Sequence, residues 1–135
     1  GSETELVRYK ETNTLFHFFG NRDITPVISF YTLHEVYNFC IDNFPSKICD
    51  EVIRLAFLKL LSYKIIIKPL LKREERIIYK NRFRMDDNTD QVHAITAFIN
   101  KCSAIITYDS HYNEIRELID IYTPAEFLKK FKKGY

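Results

Sequence analysis

Cysteine is too scarce in this chain to frame a fold. Cys40, Cys49 and Cys102 are odd in number, widely spaced and set in apolar helical contexts. Neither a disulfide framework nor a zinc site is therefore expected, and the chain reads as cytoplasmic. A membrane-spanning apolar run is lacking, as is a signal-peptide pattern, so no membrane association is expected. Charge of one sign is lacking too. The formal net charge is +2 and the pI is near 8.4, which permits nucleic-acid binding without arguing for it. Repeats and low-complexity segments are also missing. Aromatic residues are abundant: 9 Tyr and 11 Phe among 135 residues argue for a packed core and against disorder. That length suits one domain and not two. Gly1–Ser2 reads as the remnant of an expression tag, so the domain is taken as residues 3–135.

Hydrophobic periodicity divides the chain into alternating helices and short strands. Residues 3–19 carry a rough helical stripe of Leu6, Tyr9, Asn13, Phe16 and Phe19. A turn at Gly20–Asp23 and then Pro26 set up a strand, Val27–Ser29. Helices are expected over 33–43, with Leu33, Val36, Tyr37 and Cys40 facing inward, and over 48–61, with Val52, Leu55, Leu58 and Leu61 periodic. The β-branched run Ile65–Ile67 before Pro69 is a further strand. A charged helix over 70–83 and a polar loop over 85–89 follow. Residues 119–122 form a last strand, and Thr123–Pro124–Ala125–Glu126 opens the closing helix with a capping box and proline at its first position. This alternation predicts an α/β domain with a small parallel sheet flanked by helices. Functional groups in such domains gather beyond the carboxyl ends of the strands.

The organising stretch is Asp90–Asp109, DQVHAITAFINKCSAIITYD. A helix that begins with Asp90 returns through Lys101–Cys102–Ser103 into the strand 104–107, which leads into Asp109. An antiparallel-running helix–strand pair places both carboxylates on one edge, where they repel unless a cation neutralises them. Glu35 is the third candidate acid. Each has a plainer reading beside the functional one. Asp90 follows Asn88 and Thr89, either of which can cap the helix, so its carboxylate suits the helix dipole. Asp109 can form a loop turn, and Glu35 completes a capping box with Thr32. Asp86 and Asp87 read as solvated loop residues. His34, His93 and His111 stand beside the acids and are able to ligate a transition metal, although magnesium or manganese needs only oxygen.

In combination these segments resemble PIN domains. Asp90, the Ala94–Ala97 helix, Thr107–Tyr108–Asp109 and Tyr112 resemble the family's carboxyl-terminal signature. Pro26–Ser29 with Thr32 and Glu35 resembles its second patch, and Ile121–Phe127 its closing strand and helix. The resemblance covers most of residues 24–130 and implies a PIN-like three-layer domain. It also implies that Glu35, Asp90 and Asp109 hold one or two Mg²⁺ or Mn²⁺ ions that promote hydrolysis of RNA phosphodiesters. Thr107 would support the pocket by hydrogen bonding. Small proteins of this family are often ribonuclease toxins of the VapC type, restrained by an antitoxin and commonly homodimeric.

One part of the family pattern is missing. The family opens with a central strand ending in aspartate, and no such strand is legible here. Glu11–Thr12–Asn13 resembles that motif with glutamate for aspartate, but Leu6–Lys10 is too charged for a buried parallel strand. Residues 3–19 are therefore expected to be helical, with the first strand and its acid absent and a gap left in the sheet. A catalytically silent PIN-like binding or scaffold domain is thus the alternative to a nuclease. A plain interaction domain survives only if the three acids lie far apart, since carboxylates sharing an ion stand within roughly 4–8 Å. The basic run Lys72–Arg84, with Tyr79 and Phe83, reads as a solvated helix face more readily than as a phosphate track. Lys129–Lys133 reads as a frayed basic tail.

Overall fold

The computed structural model describes residues 2–20 and 23–134. Helix α1 (Ser2–Gly20) is followed by β1 (Val27–Ser29), α2 (Phe30–Asn43), α3 (Ser46–Leu61) and β2 (Ile66–Lys68). Then come α4 (Arg73–Tyr79), α5 (Asn88–Ile99), β3 (Ala104–Ile106), a 3₁₀ turn (Ser110–Ile115), β4 (Asp120–Tyr122) and α6 (Pro124–Phe131). The chain is mixed α/β, as the alternation predicts. No helix among the described residues is long and apolar enough to cross a membrane.

The small parallel sheet expected from the sequence, with its gap, is present as two separate parallel ladders. In one, Val27, Ile28 and Ser29 pair with Ile66, Ile67 and Lys68; in the other, Ala104, Ile105 and Ile106 pair with Asp120, Ile121 and Tyr122. No register joins β1 to β3 among the described residues. The segment before β1 is helical, as expected, and contributes no strand to either ladder. Helix α5 packs against both β1 and β3 and spans the break.

Two apolar clusters hold the fold. Phe83, Ala94, Ile95, Tyr112, Ile115, Ile119 and Ile121 form one around α5. Leu15, Phe18 and Phe19 of α1 form the other with Phe127 and Leu128 of α6. The inward stripe of α1 thus differs from the one expected, for Leu6 and Tyr9 are more than half exposed. Helices α2 and α3 differ further. Cys40 and Cys49 are their buried residues, while Tyr37, Leu55, Leu58 and Leu61 face outward. Of the inward face expected for α2, Cys40 is buried and Leu33 and Val36 are half-buried, so Tyr37 alone departs; in α3 Val52 is half-buried and the three leucines of the stripe lie on the surface.

Helix boundaries shift for identifiable reasons. α2 starts at Phe30, three residues before the expected Leu33, so Thr32 and Glu35 form no capping box. Asp87, read as a solvated loop residue, is the cap of α5. Its Oδ1 accepts from the backbone N–H of Thr89 at 2.7 Å and of Asp90 at 3.4 Å, and these bonds hold its carboxyl below the usual range. The charged helix ends at Tyr79 and not at Phe83. Gln91 Nε2 donates to the carbonyls of Lys80 at 3.1 Å and Phe83 at 2.6 Å, satisfying the backbone of the non-helical segment. The closing helix has the expected box: Glu126 N–H donates to Thr123 Oγ1 at 3.2 Å, and Thr123 N–H to Glu126 Oε1 at 2.9 Å.

The reversal between α5 and β3 positions the acidic edge. Cys102 N–H donates to the Ala97 carbonyl at 3.0 Å, and Lys101 N–H to the Phe98 carbonyl at 3.1 Å. This is a Schellman ending. Lys101 occupies its left-handed position with φ +58°, where a Cβ is disfavoured by about 1–2 kcal/mol. Lys101→Gly is therefore expected to stabilise the fold by about 0.5–1 kcal/mol in urea unfolding, because Lys101 is exposed and only its backbone matters. A loss of stability would show that its side chain holds the turn.

Candidate metal centre

Two local endings build the centre. Asp90 stands in the first turn of α5, and Asp109 follows β3 after Thr107 and Tyr108. Because β3 runs back along α5, both carboxylates reach one edge, as the sequence predicts. Asp109 N–H donates to Thr107 Oγ1 at 3.0 Å, so Thr107 supports the centre through the backbone of its acid. Asp109 Oδ1 in turn accepts from His111 N–H at 2.9 Å and caps the 3₁₀ turn. That is the loop-turn reading of Asp109, and it holds alongside any role with a cation.

This turn brings the His111 imidazole over the acids. Its Nδ1 lies 3.2 Å from Asp109 Oδ1 and 3.7 Å from Asp90 Oδ2. Ligand atoms of Asp90, Asp109 and His111 all fall within 4.8 Å of one another. Asp90 is largely enclosed, its side chain 15% exposed. Its Oδ2 is buried and has no hydrogen-bond partner. Burial raises the Asp90 carboxyl above its usual range, and the charges of Asp109 and Asp87 raise it further. The Tyr112 phenol hydrogen-bonds the Asp90 carboxyl, but its enclosed Oδ2 makes no hydrogen bond and faces a second carboxylate and an imidazole, which suits a divalent cation. Asp90, Asp109 and His111 thus lie close enough together to hold a metal ion, with His111 in the place that the sequence reading gave to Glu35.

Glu35 takes a different position. Its Oε1 accepts from His93 Nε2, and the Ser29 hydroxyl is hydrogen-bonded to His93 Nδ1 at 2.9 Å. With Nε2 protonated toward the carboxylate, Nδ1 is the acceptor for Ser29. The Ser29 side chain is thus occupied by His93 and makes no cap for α2. Glu35 is held beside the Asp90–Asp109–His111 group and is not one of its three members. It remains close. Burial raises the Tyr112 phenol well above its usual range, and the charges of Asp90, Glu35 and Asp109 all add to that rise. One buried phenol thus senses all three predicted acids.

The remaining candidates fall elsewhere. His34 is exposed and its ring meets Phe30, 5.4 Å between centroids. Glu11 lies within α1, not at a strand end, where its Oε1 accepts from the Tyr108 hydroxyl at 3.2 Å. That contact ties α1 to the residue before Asp109. Asp87 reads from the sequence as a loop residue, and Ser29 and Tyr112 enter there only within the segments that resemble the family. The spacing Asp87-x-Thr89 is a turn signal that identifies the cap. Nothing local identifies Ser29, whose partner is 64 residues away.

Comparison of the chain with protein-family models, with curated proteins and with solved structures gives no match.

Proposed function

We propose that this chain is a metal-dependent endoribonuclease of PIN type, acting as the toxin of a toxin–antitoxin pair in the cytoplasm. The observation that carries the proposal is the buried Oδ2 of Asp90, which makes no hydrogen bond and is set against Asp109 and His111 at the carboxyl end of β3. Bound Mg²⁺ or Mn²⁺ would supply Lewis acidity toward a phosphodiester and lower the pKa of a water. The chain's own residues hold and orient. Asp90 and Asp109 provide the anionic seat, Thr107 fixes the backbone at Asp109, and the buried Tyr112 stands beside Asp90. The Ser29–His93–Glu35 chain presents an oriented imidazole–carboxylate pair that is suited to moving a proton at the same edge. The outward apolar residues of α2 and α3, among them Phe39, Leu55 and Leu58, suit a protein partner, whether an antitoxin or a second copy of the chain.

The alternative, a silent PIN-like binding domain, draws on the engagement of Glu35 by His93 and on the break between the ladders. Incubation of a mixed RNA pool with Mn²⁺, with EDTA, and with the Asp109→Asn variant plus Mn²⁺ separates the two. The nuclease requires cleavage that EDTA abolishes and that falls by about a hundredfold or more in the variant. Metal binding without cleavage would favour the silent domain. Cleavage unaffected by EDTA and by the substitution would remove the centre from the reaction.

A further inference from the structure

We propose that His111 supplies an imidazole nitrogen to the cation held by Asp90 and Asp109, so that the centre takes a first-row transition ion, from Mn²⁺ to Zn²⁺, in preference to Mg²⁺. The proposal rests on the metal-centre reading above and narrows it. Metal–oxygen and metal–nitrogen bonds of about 2.0–2.2 Å place neighbouring ligand atoms roughly 3.0–3.5 Å apart around one ion. His111 Nδ1 stands 3.2 Å from Asp109 Oδ1 and 3.7 Å from Asp90 Oδ2. Little movement is needed for the three atoms to share a cation.

A second observation concerns the Asp90 oxygen itself. The Oδ2 atom that faces His111 Nδ1 is the one that is buried without a hydrogen-bond partner. An unpaired buried carboxylate oxygen is costly, and a cation between it and the imidazole removes that cost. Glu35, engaged by His93, leaves the third ligand position to His111. The donor set is then two carboxylates and one imidazole. Mg²⁺ favours near-octahedral oxygen and keeps its waters, whereas an imidazole suits the transition ions.

Mn²⁺ titrated into the full chain and followed by pulsed electron paramagnetic resonance tests this directly. Bound Mn²⁺ is expected to show a nitrogen hyperfine coupling that disappears in His111→Ala and persists in His93→Ala. His111 is 58% exposed on its side chain, so its truncation leaves the core intact. Mn²⁺ affinity should fall by at least about 10-fold in that variant, since even an outer-shell partner contributes that much, and Zn²⁺ should displace Mn²⁺ at far lower concentration than Mg²⁺. Bound Mn²⁺ without nitrogen coupling overturns the assignment of His111 and leaves an all-oxygen metal centre standing, whereas coupling unchanged in His111→Ala overturns it in favour of a different nitrogen donor. Displacement by Mg²⁺ as readily as by Zn²⁺ also overturns it. Failure of the wild-type chain to bind Mn²⁺ at all overturns both the assignment and the metal-centre reading.

Discussion

Replacing Phe83 with alanine is expected to cost about 3–5 kcal/mol of folding stability, a large share of the roughly 5–15 kcal/mol available to a domain. Phe83 is fully buried, among Ala94, Ile95, Tyr112 and Ile115. Its ring meets Phe98 edge-on at 5.2 Å and Tyr79 at 6.3 Å. Truncation removes the transfer energy of a whole ring and leaves a void that α5 and the 3₁₀ turn cannot both close around. The void adjoins Tyr112, so the Asp90 edge loosens with it. Urea unfolding of Phe83→Ala against Ile78→Ala is the measurement. Ile78 lies in α4 and is 69% exposed, so its loss should change stability by no more than about 0.5 kcal/mol. Similar effects for the two variants would contradict the packing described for residues 80–87.

That pair of residues shows where the sequence stops being informative. Ile78 and Phe83 share one charged, apparently helical run, and nothing local separates the exposed residue from the buried one. Phe83 lies beyond the end of α4, in a segment whose Lys80 and Phe83 carbonyls accept from Gln91, and there it packs into the core cluster. The same limit applies to the face of α2 and α3. Periodicity locates an apolar stripe, but whether the stripe is covered depends on elements elsewhere in the chain, and here Leu55, Leu58 and Leu61 are exposed.

Parts of the candidate centre were legible because they depend on short-range order. Asp90 and Asp109 meet because one helix, a four-residue reversal and one strand leave little freedom, and the chain over 90–109 encodes all three. The capping box of α6 was legible for the same reason. Glu35 depends on contacts across the fold, and there the expectation was incomplete. Its sequence neighbour Thr32 suggested a cap, whereas its partner is His93, 58 residues further on. His93 lies three residues after Asp90 and so on the same face of α5. A carboxylate from α2 thus reaches the edge that Asp90 occupies, but reaches it through an imidazole.

The electrostatics of this edge give the second large effect. Asp90→Asn is expected to raise the stability of the metal-free chain near neutral pH and to abolish its stabilisation by metal. Burial, followed by the charges of Asp109 and Asp87, raises the Asp90 carboxyl in the folded chain. A carboxyl raised on folding contributes stability that is fully present below its unfolded pKa of about 3.9 and is lost as pH rises through the folded value. The ionised form is therefore the disfavoured one, despite a helix-dipole contribution of about 0.3–1 kcal/mol. Asparagine keeps the shape and removes the charge. In EDTA, the melting temperature of the wild-type chain should fall from about pH 4 toward neutrality more steeply than that of the variant. A cation reverses the preference, because a metal ligand must be deprotonated. Mn²⁺ at a hundred times its dissociation constant should stabilise the wild-type chain by about 2.7 kcal/mol, a rise of order 10 °C at this size. The variant should show almost none of it. Thermal melts of both chains between pH 4 and 7, in EDTA and in Mn²⁺, read the two effects separately. A variant less stable than wild type in EDTA would mean that the chain itself already favours ionised Asp90 and would remove the burial penalty described for it.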